Sequence, residues 1–326
     1  MAQFDLPRAE LEAYRPDVGE PPDFDDFWAA TIDEARGHDG TPVLERVDAG
    51  LTELVVDDVT FPGFGGHPIR GWLVRPAHVD GPLPAVVEYL GYGGGRGLPH
   101  ERLALAAAGY AHLVMDTRGQ GSGWGSGGDT PDPVGSGPAS PGVMTRGVLD
   151  PADHYYRRVF TDGVRAVDAV RRVDGIDPAR VAVTGTSQGG GIAVAVAGLV
   201  PDVAAAAVNV PFLCHYRRAV EISDAFPYGE ITRYLSVHRE HVDAVWRTFS
   251  YLDGVSFARR ARAAGLFSTA LMDTVCPPST VYAAFNAWGE RAGAADTRID
   301  VYPYNGHEGG DAYRFAPTLA WLAKHL

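Results

Sequence analysis

Residues 181–189 of the chain have the sequence Val-Ala-Val-Thr-Gly-Thr-Ser-Gln-Gly. The short apolar run predicts a buried strand, and the small apolar residues that follow, from Gly190 to Val200, predict a helix. A serine between a strand and a helix, flanked by glycines in the pattern G-x-S-x-G, is typical of a sharp turn that presents a nucleophile. Gly185 and Gly189 suit this turn because a Cβ at either position would crowd the strand or the helix. Ser187 is therefore the candidate nucleophile.

A serine hydroxyl needs a base to accept its proton and an acid to orient that base. Asp273 follows the apolar run 269–272, and His307 lies in the Gly-flanked loop 304–310 before the last predicted helix. The order Ser, Asp, His is the order that this strand–turn–helix architecture requires. Asp300 is a rival acid, but it lies within a predicted strand rather than beyond its end. Each residue also has an ordinary structural alternative. Ser187 could lie in a turn that only packs a helix on the sheet, Asp273 could cap a helix or a turn, and His307 could be a solvated loop residue.

Further residues are expected to assist these three. An oxyanion hole needs two backbone N–H groups, for which we expect Gln188 and, in the glycine-rich loop 89–95, Tyr92. Arg118 and Gln120 follow the strand that ends near Asp116. Arg118 either lies in a surface turn or connects active-site loops through an ion pair with a carboxylate, and the sequence leaves both alternatives open.

The predicted elements alternate between short apolar strands and helices. Strands are expected at 54–61, 69–74, 85–90, 111–115, 181–185, 204–210, 266–272 and 297–302, and helices at 102–108, 153–172, 189–200 and about 311–325. This alternation predicts an α/β fold, a doubly wound and mostly parallel sheet with helices on both faces. Such sheets bind ligands beyond the carboxyl ends of their strands, where all three candidate catalytic residues fall.

The whole chain, 1–326, is expected to form one domain with two additions. Residues 1–50 contain an acidic arm and an amphipathic helix, in which Asp23 is the expected N-cap and Phe24, Phe27, Trp28 and Ile32 recur at helical spacing. Residues 213–263 are helical in pattern, precede the strand that leads to Asp273, and are expected to lie over the active site. The segment 121–150 is rich in Gly, Ser and Pro, and its role is left open.

Composition limits the classes of function. The 326 residues include 28 basic and 41 acidic side chains, a net charge of −13, which disfavours nucleic acid and anionic membranes as partners. Two cysteines, Cys214 and Cys276, cannot form a disulfide framework, and the first residues lack the basic and apolar regions of a signal peptide, so we expect a cytoplasmic protein. We expect no cofactor or metal, since neither a nucleotide-binding fingerprint nor a metal-site spacing was identified.

Several segments together resemble the acetyl xylan esterase and cephalosporin-C deacetylase family of α/β-hydrolases. The similar segments span nearly the whole chain: Asp25-Asp26-Phe27-Trp28, Arg118-Gly119-Gln120, Gly185-Thr186-Ser187-Gln188-Gly189, Phe212-Leu213-Cys214-His215-Tyr216-Arg217-Arg218, Asp273-Thr274-Val275-Cys276-Pro277-Pro278 and His307-Glu308.

This resemblance implies a serine esterase that removes acetyl groups from sugars, xylo-oligosaccharides and cephalosporin C. It implies Ser187, Asp273 and His307 as the triad and Tyr92 and Gln188 as oxyanion donors. It also implies a crowded acyl pocket at Pro227, a supporting position for Glu308, and an intracellular homohexamer.

Two other functions remain open from the sequence. One is a peptidase of the oligopeptidase kind, which shares the G-x-S-x-G turn but normally carries a large N-terminal domain that about 50 residues before the first strand cannot build. The other is a non-catalytic binding protein on the same fold, which usually lacks one member of the triad. The three functions are distinguished by comparing the hydrolysis of acetyl esters with the hydrolysis of peptide amides.

Overall fold

Hydrophobic strands in the middle of the chain pair side by side and form the core of the fold. The structure is a computed structural model and describes residues 2–135, 137–293 and 296–326. In these residues nine strands form one sheet, in the order β1-β2-β3-β5-β4-β6-β7-β8-β9. The strands are β1 (Val43–Val47), β2 (Leu54–Pro62), β3 (Pro68–Pro76), β4 (Leu83–Tyr89), β5 (Ala111–Met115), β6 (Ile176–Thr186), β7 (Ala205–Asn209), β8 (Ala264–Ala270) and β9 (Thr297–Tyr302).

The strand directions confirm a mostly parallel sheet. Strands β5, β4, β6, β7, β8 and β9 pair in parallel, and β1, β2 and β3 add an antiparallel edge. Strands β5 and β8 are buried at every residue, because helices cover both faces of the parallel part. Strand β1 was not predicted, since four of its five side chains are exposed; it is held by backbone pairing with β2 and by an ion pair between Arg46 and Asp57.

Helices cover the sheet on both sides. The described α-helices are α1 (Arg8–Ala13), α2 (Phe24–Arg36), α3 (Ala104–Ala107), α4 (Tyr155–Val170), α5 (Gln188–Leu199), α6 (Tyr216–Ile222), α7 (Gly229–Val237), α8 (Val242–Ser250), α9 (Gly254–Ala258), α10 (Pro278–Ala287) and α11 (Phe315–His325). Helices α4, α5 and α10 pack on one face, and α3 and α11 pack on the other. Val87 and Val86, adjacent in β4, accordingly belong to two separate apolar clusters. None of the described helices is long and apolar enough to cross a membrane.

The amphipathic N-terminal helix is α2, and Asp23 is its N-cap residue, as predicted. The Asp23 carboxylate makes no capping hydrogen bond and instead accepts one of 2.6 Å from the Tyr251 hydroxyl. The apolar face of α2 buries Phe24, Trp28 and Ile32, and the indole of Trp28 donates to the carbonyl of Tyr251 at 2.8 Å. The predicted helix and its N-cap residue are both confirmed, but the Asp23 carboxylate bonds to a partner distant in sequence rather than to the helix amides.

The insertion between β7 and β8 is helical, as predicted, and contains α6 to α9. Its last helix, α9, packs against α5 and α10 and so extends the helical layer on the sheet. The part of the insertion that reaches the candidate nucleophile is the turn at Phe226 and Pro227. The insertion therefore covers the site with one turn rather than along its length.

Candidate active site

Ser187 occupies the turn between β6 and α5. Its φ is +59°, in the left-handed region that non-glycine residues rarely adopt. The backbone is held there by hydrogen bonds of the Ser187 amide to the Asn209 carbonyl, at 3.0 Å, and of the Phe212 amide to the Ser187 carbonyl, at 2.9 Å. The turn is thus fixed by β7 and by the segment that follows it.

The two flanking glycines are required by close contact. A Cβ on Gly185 would lie 2.3 Å from the carbonyl carbon of Gly189, and a Cβ on Gly189 would lie 2.0 Å from the carbonyl oxygen of Tyr89. Both distances are far below any real contact, so the turn, helix α5 and strand β4 can approach only where side chains are absent. The predicted strand–turn–helix is present.

Ser187, His307 and Asp273 form one continuous chain of hydrogen bonds. The Nε2 atom of His307 lies 2.9 Å from the Oγ atom of Ser187, and its Nδ1 atom lies 2.9 Å from an oxygen of Asp273. Asp273 is fully buried, and its other oxygen accepts hydrogen bonds from the amides of Val275 and Cys276 at 2.8 and 2.9 Å. The carboxylate is therefore oriented by its own turn and in turn orients the imidazole.

Cys276 places a second nucleophilic atom close to this chain. A ligand atom of each of Asp273, Cys276 and His307 lies within 4.8 Å of the others. Burial, together with the charge of Asp273, raises the pKa of the Cys276 thiol well above its usual value. A protonated, buried thiol is a poor nucleophile, so Cys276 does not compete with Ser187.

Two glutamine side chains connect the loop after β4 to the serine turn. The Oε1 atom of Gln120 accepts a hydrogen bond from the Gly93 amide at 2.6 Å, and its Nε2 atom donates to Oε1 of Gln188 at 2.8 Å. The side chain of Gln188 also donates to the Leu90 carbonyl at 3.1 Å. The sequence predicted a role for the backbone amide of Gln188 as an oxyanion donor, but not these hydrogen bonds of its side chain.

The amides of Tyr92 and Gln188 are the two expected oxyanion donors. Among the residues that the structure describes, neither amide donates to another group of the chain. The Tyr92 hydroxyl donates to Glu230 of α7 at 2.5 Å and accepts from the Val143 amide at 2.7 Å. Burial, followed by the charge of Glu230, raises the pKa of Tyr92. Tyr92 thus joins the loop after β4 to the insertion and to the segment 121–150.

Glu230 was not identified from the sequence. Its carboxylate is buried, receives the Tyr92 hydroxyl and accepts a further hydrogen bond from the Met144 amide at 3.0 Å. Burial raises the pKa of Glu230, although these hydrogen bonds act in the opposite direction. Because 138 residues separate Glu230 from Tyr92, no local pattern signals the contact.

Arg118 is fully buried and does not belong to a surface turn. Its guanidinium donates to both oxygens of Asp162, at 2.6 and 2.7 Å, and lies 3.5 Å from Asp132. Asp132 is also paired with Arg158 at 2.9 Å. Arg118 therefore ties the segment 121–150 to α4 through carboxylates, the second of the two alternatives.

Glu308 supports the loop that carries His307. Its carboxylate accepts hydrogen bonds from the Asn305 side chain at 2.7 Å and from the Gly306 amide at 3.0 Å. The hydrogen bond from Asn305 lowers the pKa of Glu308, which stays ionised in this position. Asp300, the rival acid, is paired with Arg298 and Arg314 and makes no contact with His307.

A cavity of about 580 Å³ opens onto Ser187 and His307. Pro227 lines it, as predicted, together with Phe226 and Trp124, which sequence reasoning missed. The Trp124 indole donates to the Tyr92 carbonyl at 2.7 Å, and a Cβ on Gly94 would lie 2.4 Å from its ring. A single tryptophan within a Gly- and Ser-rich segment is a signal that could have indicated Trp124.

Three residues outside this site have the donors of a metal site. Ligand atoms of His238, Glu240 and His241 lie within 4.8 Å of one another in the insertion, and the Tyr234 hydroxyl lies 2.9 Å from Nδ1 of His241. The expectation that no histidine spacing suits a metal overlooked this His-x-Glu-His sequence. The three residues are separate from the cavity at Ser187.

Comparison with known proteins places these features in one family. A family model described as acetyl xylan esterase (AXE1) matches residues 1–325. The solved acetyl xylan esterase from Paenibacillus sp. R4 is 38% identical, with a TM-score of 0.91 over 98% of this chain and 100% of that one. Acetyl xylan esterase 1 from Thermoanaerobacterium sp. JW/SL YS485 is 31% identical, with a TM-score of 0.89 over 99% and 100%. The acetyl esterase Axe7A of Xylanibacter ruminicola is 28% identical over 97% of this chain and 70% of its own length.

Proposed function

The chain belongs to the acetyl xylan esterase family, whose members are carboxylic ester hydrolases, and we propose that it removes acetyl groups from acetylated xylo-oligosaccharides through a serine nucleophile. The observation that carries the proposal is the hydrogen-bonded chain from Asp273 through His307 to Ser187. The same site is proposed to accept cephalosporin C, whose acetyl ester presents the same carbonyl.

In the proposed mechanism Ser187 attacks the acetyl carbonyl while His307 takes the hydroxyl proton. Asp273, held by two backbone amides, stabilises the imidazolium that forms. The negative oxygen of the tetrahedral intermediate is bound by the amides of Tyr92 and Gln188. His307 then protonates the sugar oxygen, and the sugar leaves. In the second half of the reaction His307 takes a proton from water, which attacks the acetyl-enzyme. Ser187 regains its proton from His307, and acetate is released.

The cavity supports a small acyl group next to a larger alcohol. Pro227 and Val275 line the cavity beside Ser187. The rigid ring of Pro227 and the branched side chain of Val275 restrict the space for the acyl group. Trp124 and Phe226 are half exposed and provide aromatic surface toward solvent. Aromatic faces combined with polar groups suit the apolar and hydroxylated faces of a sugar ring.

Replacement of the nucleophile tests the proposal. Ser187→Ala is expected to keep the fold and to lower kcat for p-nitrophenyl acetate and for acetylated xylose by about 10⁴ or more, since triads act as a unit. Ser236→Ala, at an exposed serine that does not line the cavity, is the matched control. A serine-directed fluorophosphonate should label Ser187, as located by mass spectrometry of the digested protein.

Substrate comparison separates the esterase from the other functions on this fold. We expect p-nitrophenyl acetate to be hydrolysed and p-nitroanilide peptides to be left intact. Near-normal turnover by Ser187→Ala would contradict the assignment of the nucleophile. Cleavage of peptide amides in preference to acetyl esters would indicate a peptidase, and absence of hydrolysis of either class would indicate a binding protein.

A further inference from the structure

A second cavity, of about 350 Å³, lies next to the one at Ser187. The two cavities share three lining residues, Glu88, Arg102 and Thr186, and Thr186 directly precedes the proposed nucleophile. The second cavity lies beside the carboxyl ends of β6 and β7, where α/β sheets bind ligands. None of the residues in the proposed acetyl transfer step lines the second cavity.

The shared wall contains a partly exposed ion pair between Arg102 and Glu88. Arg102 donates to one oxygen of Glu88 at 2.5 Å, and Nε2 of His112 lies 2.9 Å from the other. Burial favours the protonated form of Glu88, but the hydrogen bond from His112 and the charge of Arg102 outweigh it and lower the pKa of that carboxyl. Glu88 is therefore an ionised, firmly held hydrogen-bond acceptor at the junction of the two cavities.

The opposite wall combines a held guanidinium with an aromatic ring. Arg314 is 4% exposed and donates to the Asn209 side chain at 2.9 Å and to Asp300 at 2.5 Å. Phe315, the first residue of α11, follows it and is 38% exposed. Asp311, also in this wall, adds a carboxylate at the rim.

The chemistry of these walls selects the ligand. Carboxylates and guanidinium groups line the cavity together with the apolar side chains of Leu103, Leu105 and Ala312. Charges of both signs give no net preference for a charged ligand. Fixed acceptors and donors with one aromatic face suit a neutral ring that carries many hydroxyl groups. The volume lies at the lower end of the range of ligand pockets, about 300–1,000 Å³, and so favours one small ring over a long chain.

We propose that this second cavity is a sugar subsite that binds the xylosyl residue next to the one that carries the acetyl group. The inference rests on the proposed function, because that acetyl group must lie at Ser187 for the adjoining residue to enter. Glu88 and Arg102 then contact both sugar residues, since they line both cavities. The enzyme accordingly prefers acetylated oligosaccharides to acetylated xylose.

The test compares acetylated xylotriose with acetylated xylose, which differ only in the neighbouring sugars. For wild type we expect kcat/KM to be about tenfold or more higher for acetylated xylotriose than for acetylated xylose, because a few added contacts supply discrimination of this size. Ala312 lines the cavity and its side chain is exposed, so Ala312→Trp should fill the space and bring the ratio close to one. Tyr313→Trp is the matched control, because Tyr313 is 86% exposed and does not line the cavity, and its ratio should stay that of wild type.

Direct binding keeps the subsite separable from catalysis. Unacetylated xylotriose, titrated calorimetrically into wild type and into Phe315→Ala, should bind several-fold more weakly to the variant, which lacks the aromatic face. The binding measurement does not depend on the assignment of the acetyl transfer step, because unacetylated xylotriose carries no acetyl group. A ratio near one in wild type, an unchanged ratio in Ala312→Trp, or equal xylotriose affinity in wild type and Phe315→Ala would each overturn the subsite. Failure of wild type to hydrolyse either acetylated sugar would overturn the proposed function itself.

Discussion

Cys276 lies within the site but is expected to be chemically inert. Its thiol is buried, and burial raises its pKa, so the thiolate population at neutral pH is very small. Iodoacetamide at pH 7.5 should leave p-nitrophenyl acetate hydrolysis unchanged over an hour, and mass spectrometry of the native protein should find Cys276 unmodified. The same reagent in denaturant should alkylate both cysteines. Rapid inactivation of the native enzyme would contradict this prediction.

Pro227 is expected to set the size of the acyl group. A rigid side chain beside Ser187 leaves room for acetyl, and overfilling a rigid pocket costs roughly 1–3 kcal/mol. The kcat/KM for p-nitrophenyl esters should therefore fall from acetyl to butyryl, with octanoate almost inert. Pro227→Ala should flatten this order, whereas Pro178→Ala, at an exposed proline outside the cavity, should keep it. A wild-type preference for octanoate would show that the pocket is open.

At the scale of elements, Gln120 connects the loop after β4 to the turn at Ser187. Its side chain accepts from the Gly93 amide and donates to Gln188, so it fixes the two proposed oxyanion donors relative to each other. Gln120→Ala should lower kcat by roughly 10- to 1,000-fold with a smaller effect on KM, because an oxyanion hole acts in the transition state.

Gln120→Glu is the matched variant for that prediction. Its carboxylate keeps the acceptor for the Gly93 amide and loses the donors to Gln188 and to the Tyr155 hydroxyl. An intermediate loss of kcat is expected, measured with p-nitrophenyl acetate on protein with wild-type thermal stability. If KM alone rises in Gln120→Ala, the residue binds substrate rather than positions the oxyanion donors.

His154 makes the junction between the segment 121–150 and α4 sensitive to acid. It caps α4 by accepting from the Tyr156 amide at 3.1 Å, and its Nε2 atom bonds to the Met144 carbonyl at 2.9 Å. Burial lowers the pKa of His154 to about 3. The folded state therefore binds no proton there between pH 6.5 and about 3, while the unfolded state does, and stability is lost as the pH falls through that window.

Denaturant unfolding at several pH values measures this effect. The free energy of unfolding of wild type should fall by several kcal/mol from pH 7 to pH 4, beyond the contribution of other groups. His154→Asn keeps a capping side chain without a titrating group, so it should be less stable at pH 7 and lose less on acidification. Equal pH slopes for the two proteins would exclude His154 as the sensitive group.

At the scale of the whole molecule, we propose that the chain assembles into a hexamer, as its resemblance to the acetyl xylan esterase and cephalosporin-C deacetylase family implies. Light scattering after size-exclusion chromatography should give six times the chain mass. A monomer mass at micromolar concentration would contradict the proposal.

The fold and the meeting of Ser187, Asp273 and His307 could be predicted from the sequence because both follow local rules. The strand before Ser187, the glycines around it and the helix after it are encoded within about twenty residues. Apolar runs likewise predicted the strands before Asp273 and His307, and the carboxyl ends of parallel strands must meet at one edge of the sheet. The three candidate residues were therefore expected to come together before any contact was known.

The remaining features depend on contacts between residues that lie far apart in the chain, which only the folded structure reveals. Asp162 lies 44 residues from Arg118, and Glu230 lies 138 residues from Tyr92. Side-chain partners at such separations are chosen by which surfaces the packed elements bring together, and no local periodicity encodes that choice. Local sequence patterns placed Ser187, Asp273 and His307 just beyond predicted strands, and the packing of loops and helices around these residues established what each side chain contacts.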